Sequence, residues 1–235
     1  MNPPIACCTA PHTHWPLPVA LPGVVLTSNR FDPKALAADD FQRAHIPPPA
    51  SIQRSVAKRQ AEFLAGRLCA RSALQQLAGL DHVPAIGDDR APIWPAGITG
   101  SITHGTGWAG AIVARSSQWQ GLGLDMETLL GDERATRLAG EILTPDELAR
   151  MDPAQVSLTV TLTFSIKESL FKALYPIVGK RFYFEHAEVV EWDTTGRVRM
   201  RLLTELSPQW GHGVEIDGQF SVQDEHLLSL IAIPC

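Results

Sequence analysis

Asp125 and Glu127 flank Met126 near the end of Trp119–Met126 (WQGLGLDM), a segment that reads as a strand. Residues two apart on a strand point to one face, so both carboxylates can reach one cation. Hard Mg²⁺ takes oxygen ligands, often one or two protein carboxylates, with water and a substrate phosphate completing the shell. The same D-x-E pattern also describes an acidic turn in water. An exposed acidic cluster of this kind contributes little stability, so Asp125→Ala is expected to leave the fold intact.

A second group lies in Phe164–Ala173 (FSIKESLFKA), where Glu168 and Lys172 form an i,i+4 pair on one helix face. As a surface ion pair it is worth about 0.3–0.5 kcal/mol. Phe164, Ile166, Leu170, Phe171, Leu174 and Tyr175 make the helix apolar around most of its circumference. Such a helix is buried or sits at an interface, which favours a chemical role for its charged pair. Third, His104 follows Thr103 within GSITHG (Gly100–Gly105). A histidine at a strand end beside glycines can donate to a phosphate without crowding, although it also suits a structural histidine.

These groups need elements to hold them. Ser55–Leu77 carries Val56, Phe63, Leu64, Leu68, Leu74 and Leu77 over about half of a helical wheel. Arg59, Arg67 and Arg71 fall in the same apolar half. Arginine is seldom buried without an anion. The three are therefore paired with internal carboxylates or extended at the rim, or they form a cationic wall facing a phosphate. Beyond a turn-rich stretch at Gly87–Gly97, Ile98–Thr103 and Trp108–Ala114 read as strands joined through His104–Gly107. Glu133–Ile142 reads as a helix, and Thr144-Pro145-Asp146-Glu147 supplies a cap, a proline and two acids to start another. A helix over Thr161–Leu174 should stop before Pro176. Strands are expected at Arg181–Trp192, Arg197–Leu203, Val214–Val222 and Leu227–Ile233, with a Thr194-Thr195-Gly196 turn between the first two. The pattern is α+β in two comparable halves, 1–118 and 119–235.

Composition narrows the function classes. The chain is 45% apolar and 19% charged, enough for a sizeable core and against global disorder. Its 20 Lys+Arg and 25 Asp+Glu give a net charge of −5 without a basic tract, which argues against a general nucleic-acid binder. The apolar runs Trp108–Ala114 and Leu227–Ile233 are far shorter than the ~20 residues of a membrane span. The start lacks the cationic and apolar regions of a signal peptide. Cys7, Cys8, Cys69 and Cys235 have no C-x-x-C spacing, so a reduced, soluble, cytoplasmic protein is expected. Ten of the 18 prolines fall in the first 49 residues, a segment expected to wrap a folded body. Cys7, Cys8, His12 and His14 are read there as part of an exposed, loosely ordered start rather than a zinc site.

KRQAEFLAGRLCAR (Lys58–Arg71), RAPIWPAGITGSITH (Arg90–His104), GLGLDME (Gly121–Glu127), LTPDEL (Leu143–Leu148) and FSIKESLFKALYP (Phe164–Pro176) occur in one order over about half the chain. Together they resemble the 4′-phosphopantetheinyl transferases, in the monomeric class built of two halves. The resemblance implies two pseudo-symmetric α+β halves, each a small, mainly antiparallel sheet with a packed long helix, and an active site in the cleft between them. It implies transfer of 4′-phosphopantetheine from coenzyme A to a serine of an apo acyl or peptidyl carrier protein, with 3′,5′-ADP leaving. Asp125, Glu127 and Glu168 would be the Mg²⁺ ligands, with Glu168 also the candidate base. Lys167 and Lys172 would contact phosphates, Lys172 on the leaving diphosphate. Thr103 and His104 match the pair beside the adenosine, and Arg59, Arg67 and Arg90 match the basic positions at its 3′-phosphate. Thr103 stands where many relatives carry serine. The first 25 or so residues match no motif of the family. Two other functions fit the same residues, a Mg²⁺-dependent hydrolase of coenzyme A-like diphosphates and a non-catalytic carrier-binding module.

Overall fold

A computed structural model describes residues 5–235, so the first four residues of the first predicted half lie outside the described residues. The chain divides into two compact units, one of 5–15 with 21–118, the other of 16–20 with 119–235. Residues 16–20, placed by the sequence division in the first half, thus belong to the second unit.

The first unit runs through β1 (His12–Thr13), β2 (Val24–Arg30), two single-turn helices α1 (Asp40–Arg43) and α2 (Ala50–Gln53), and the long α3 (Ala57–Ala78). A minimal ladder of β3 (Ala85–Ile86) and β4 (Pro92–Ile93) follows, then the hairpin of β5 (Ile98–Gly105) and β6 (Trp108–Arg115). The sheet order is β1-β2-β6-β5, antiparallel throughout. On α3, Leu64, Ala65, Leu68 and Leu74 are buried, while Val56, expected on its apolar half, is 74% exposed at the N-cap. His104 lies within β5, not in the connection, because the ladder continues to Gly105↔Trp108 and only Thr106 and Gly107 turn. From residue 5 on, the segment expected to be exposed and loosely ordered is partly packed. Cys7 is buried, β1 pairs with β2, and the buried Asp40 carboxylate accepts the backbone N–H groups of Ala6 (2.8 Å), Cys7 (3.2 Å) and Ala37 (3.0 Å). These bonds give backbone donors outside regular structure the partners they need once buried.

The second unit contains β7 (Trp119–Thr128), α4 (Asp132–Ile142), α5 (Pro145–Ala149), the long α6 (Val156–Val178), β8 (Ala187–Trp192), β9 (Arg197–Leu202), β10 (Glu215–Gln223) and β11 (His226–Pro234). Its sheet is antiparallel in the order β7-β11-β10-β9-β8. Ile166, Leu170 and Leu174 of α6 share a core with Met200, Phe220, Leu227 and Ile231. Thr144 and Glu147 form the reciprocal cap that starts α5. Helix α6 does not stop before Pro176 but runs through it to Val178 and ends at Gly179, whose φ of +63° suits glycine. Proline in the last turn removes only the donor that would reach the Lys172 carbonyl, so the helix tolerates it there. The strand expected from Arg181 begins only at Ala187, because Phe184–His186 turns as a 3₁₀ segment.

Both units follow one route. A strand is followed by a long helix, and a final hairpin returns its last strand antiparallel to the first, β6 to β2 and β11 to β7. This is the expected α+β architecture of small antiparallel sheets with packed helices. Gly121 and Gly123 set the helix distance in the second unit. A Cβ on Gly123 would lie 1.8 Å from the Ser169 carbonyl oxygen, and one on Gly121 would lie 2.2 Å from that of Ala173. The glycines share a strand face with Asp125 and Glu127, so α6 rests on bare backbone just where the carboxylates begin.

Candidate active site

Asp125 sits on β7 with only 5% of its surface exposed. Its Oδ1 accepts from Lys172 Nζ at 2.6 Å, and its Oδ2 from Ser165 Oγ at 2.9 Å. Lys172 also donates to the Leu124 carbonyl at 3.1 Å, which engages two of its three N–H donors. The local i,i+4 pairing of Glu168 with Lys172 is thereby corrected, because the ammonium bonds across to β7. Its side chain is 27% exposed and that of Asp125 7%, so the bond is partly buried. The exposed acidic cluster is corrected as well, at least for Asp125.

Glu127 and Glu168 are half-buried beside this pair. Burial, then the Asp125 charge, pushes the Glu127 carboxyl up to about 7, with Glu168 adding to the rise and Lys172 and Arg134 opposing it. Glu168 is also raised, first by burial, with Lys172 lowering it and Asp125 raising it. Glu127 and Glu168 thus both feel the Asp125 carboxylate and the Lys172 ammonium. The donor set is all carboxylate oxygen and carries excess negative charge, which fits a hard divalent cation. Among the described residues, no three carboxylate, imidazole or thiol groups form a ready-made metal cluster.

A pH dependence follows from Glu127. Its folded carboxyl holds a proton more tightly than the unfolded chain's, so this contribution to stability is present at low pH and is lost as pH rises through about 7. Without divalent ions, the melting temperature of Glu127→Gln minus that of the wild type should therefore increase from pH 5 to pH 8. A flat difference in calorimetry would contradict the raised carboxyl.

Lys167 departs from its expected role. Only 3% exposed, it donates to Glu147 Oε2 at 2.7 Å and to the carbonyls of Ile142 (2.9 Å) and Phe184 (3.1 Å). All three donors are engaged inside the protein, so no proton is left for a phosphate. Glu147 completes the strut by accepting the Thr144 and Val189 backbone N–H groups. Beside Glu168, a cavity of about 190 Å³ is lined by Phe171, Arg181, Phe182, Tyr183 and Phe184, with Tyr183 62% exposed.

In the first unit, Arg59 Nη1 lies 2.9 Å from His104 Nε2, and both groups approach the buried Glu62 carboxylate, Arg59 at 3.5 Å and His104 Nδ1 at 3.8 Å. Arg67, 94% buried, stacks 4.8 Å over the Phe63 ring, and its Nε has no hydrogen-bond partner. It forms no ion pair among the described residues. Burial, then the like charge of Arg59, pushes its guanidinium down to about 10. Of the alternatives open for the helix arginines, Arg71 takes the structural one, donating to the Ala44 carbonyl at 2.7 Å with Asp81 at 3.9 Å. Arg67 does not. Thr103 is separated from His104, because neighbours on a strand face opposite ways. Only His104 shares the side of β5 on which Ile102 meets α3 at Gly66. Arg90 is exposed, with φ of +74°, in the turn where its N–H bonds the Gly87 carbonyl, and makes no ion pair among the described residues.

Several site residues were not singled out in the sequence. Glu62 lies one turn after Lys58 and Arg59, a spacing that does signal a partner. Ser165 and Ser169 are one turn apart on α6, but nothing local ties them to Asp125.

Two family profiles match, one in each unit. One, described as the 4′-phosphopantetheinyl transferase N-terminal domain, covers residues 48–114, and the other, the 4′-phosphopantetheinyl transferase superfamily, covers residues 121–230. The chain is 41% identical over 163 residues to enterobactin synthase component D of Escherichia coli O157:H7, covering 68% of this chain and 75% of that protein. It is 36% identical over 191 residues to the 4′-phosphopantetheinyl transferase PptT of Mycobacterium tuberculosis, covering 77% and 82%. With the 4′-phosphopantetheinyl transferase Svp of Streptomyces mobaraensis it shares 33% identity over 218 residues, covering 91% and 87%. Profiles for both units and relatives matched over most of their length place this chain, an enzyme, in the 4′-phosphopantetheinyl transferase family.

Proposed function

We propose that the enzyme moves 4′-phosphopantetheine from coenzyme A to a serine hydroxyl of an apo acyl or peptidyl carrier protein. The observation that carries this reading is the crowding of Asp125, Glu127 and Glu168 around Lys172 at the contact of β7 with α6. The carrier serine attacks the phosphorus next to pantetheine, and its proton passes to Glu168. The bond from that phosphorus to the bridging oxygen breaks, and 3′,5′-ADP departs with the electron pair. Burial raises the basicity of Glu168, which suits it better to accept that proton than an ordinary exposed carboxylate. Lys172 keeps one donor for an oxygen of the leaving diphosphate. Asp125, Glu127 and Glu168 would hold Mg²⁺, which supplies charge neutralisation at the pyrophosphate when bound. The apolar cavity beside Glu168 suits the pantetheine arm, and the exposed Arg181 suits an acidic carrier surface.

At the other end of coenzyme A, Arg67 is the strongest candidate for the 3′-phosphate. A buried guanidinium with no carboxylate is unusual unless an anion visits it. Arg59 and His104 sit on the same side and would share that anion. Thr103 and Arg90 remain in the proposed adenosine site as weaker members, Thr103 through the opposite face of β5 and Arg90 from its exposed turn.

Incubation with coenzyme A, Mg²⁺ and an apo carrier protein tests the function by mass spectrometry. Addition of one phosphopantetheine to the carrier, with 3′,5′-ADP released, is expected. Cleavage of coenzyme A without carrier would indicate the hydrolase, and carrier binding without turnover would indicate the binding module. In the same assay Arg67→Ala should narrow the preference for coenzyme A over 3′-dephospho-coenzyme A, and an unchanged preference would make Arg67 structural.

A further inference from the structure

Three serine hydroxyls form a buried ladder behind Asp125. Ser165 Oγ donates to Asp125 Oδ2 at 2.9 Å and lies 2.8 Å from Ser229 Oγ, which in turn lies 2.8 Å from Ser169 Oγ. With the Ser165 proton on Asp125 and the Ser229 proton on Ser165, the single Ser169 proton is shared between Ser229 Oγ and the Ser229 carbonyl at 3.1 Å. All three serines are 0% exposed. Their placement follows from the elements. Ser165 and Ser169 are one turn apart on α6, Ser229 is directly opposite Asp125 in the β7–β11 register, and the bare backbone at Gly123 lets α6 approach closely enough for small side chains to meet.

A row of hydroxyls is an unusual way to fill a helix–sheet contact. Each buried hydroxyl costs desolvation that an alanine would avoid, and the return is a network that holds only when every member is bonded. Here every rung is bonded, and the ladder ends on one oxygen of a carboxylate whose other oxygen is held by Lys172. With one bond at each oxygen, Asp125 cannot rotate about its terminal torsion without breaking one of them. Its remaining lone pairs are therefore fixed in direction.

We propose that Ser165, Ser229 and Ser169 are positioning residues that fix the Asp125 carboxylate for a divalent cation. This rests on the reading of Asp125 as a metal ligand. Outer-shell partners of metal-binding carboxylates set ligand orientation, and their loss typically weakens metal binding by roughly 10–100-fold. Ser165 touches the carboxylate itself. Ser229 acts through it, so the loss at Ser229 is the smaller.

The test is titration of the full-length protein with Mn²⁺ alone, read by electron paramagnetic resonance, alongside thermal melts. Ser165→Ala should weaken Mn²⁺ binding about 10-fold or more, and Ser229→Ala should weaken it less. Ser165→Cys, which keeps a weak donor, should fall between Ser165→Ala and the wild type, and it carries the test if Ser165→Ala does not fold. A lower melting temperature with Mn²⁺ affinity within twofold of wild type in the folded Ser165 variant would overturn the proposal and reduce the ladder to packing. Asp125→Asn separates the two ideas. If it binds Mn²⁺ like the wild type, the ligand assignment fails. If it loses Mn²⁺ while the Ser165 variants keep it, only the ladder fails.

Discussion

Asp125→Asn is expected to lower the rate of transfer by roughly a hundred- to a thousandfold, as in the loss of a preorganised electrostatic contact. The amide keeps the shape of the carboxylate and an oxygen for Ser165 or Lys172, but it loses the charge that faces the diphosphate and its cation. Asp125→Ala should be equally inactive and is the poorer variant. It leaves Lys172 without its carboxylate and the Ser165 hydroxyl without its acceptor in a contact where Asp125 is 5% exposed. Breaking a buried pair costs about 3–5 kcal/mol, and with the Lys172 side chain 27% exposed the low end, about 3 kcal/mol, applies. Steady-state rates and melting curves on both variants check this. A folded Asp125→Asn enzyme turning over near the wild-type rate at saturating Mg²⁺ would remove Asp125 from the site.

Lys172→Ala should reduce kcat by at least roughly a hundredfold while changing the KM for coenzyme A much less. Negative charge grows on the departing diphosphate as the bond breaks, so the Lys172 ammonium acts more strongly in the transition state than on bound coenzyme A. The alternative was a surface pair with Glu168, and the bond from Lys172 Nζ to Asp125 Oδ1 at 2.6 Å replaces it. Because that bond also holds Asp125, part of the loss will come from carboxylate disorder. Lys172→Arg keeps the charge in a wider, planar head and should recover only part of the rate. Glu168→Gln removes a proton acceptor and a ligand charge, so both kcat and the Mg²⁺ dependence should suffer, with little change in melting temperature. Full activity in Lys172→Ala and Glu168→Gln would return both residues to a structural role.

Much of this molecule was legible in its residues. Helical spacing located α3 and α6, two strand-like runs about a short connection located β5 and β6, alternation located β9 to β11, and the cap at Thr144 located α5. These features are local, set by periods of 3.6 and 2 residues and by single turns. The chemistry-bearing residues were visible for the same reason, since Asp125 with Glu127 and Glu168 with Lys172 are strand and helix neighbours. Errors at this level were also local. Pro176 was read as a stop although a last turn tolerates it, and the strand before Ala187 was overextended by a run of aromatic residues that turns instead.

The tertiary structure decided which charges meet. Lys172 and Asp125 are 47 residues apart, and Ser165 and Ser229 are 64 apart. No period links such positions, and only the approach of α6 to the glycines of β7 brings them together. Adjacent residues meanwhile took opposite fates. Both Lys167 and Glu168 line the cavity, but the Lys167 ammonium is enclosed by Glu147 and two carbonyls while Glu168 lies beside Asp125 and Lys172, because successive helix residues point about 100° apart. Arg67 and Arg71 show the same division on α3, one buried without an anion and the other bonded to a carbonyl. Residue type and spacing fix which side chains are able to act, and the packing of helix on sheet fixes which are left unpaired to do so, because burial and partner are properties of the whole contact.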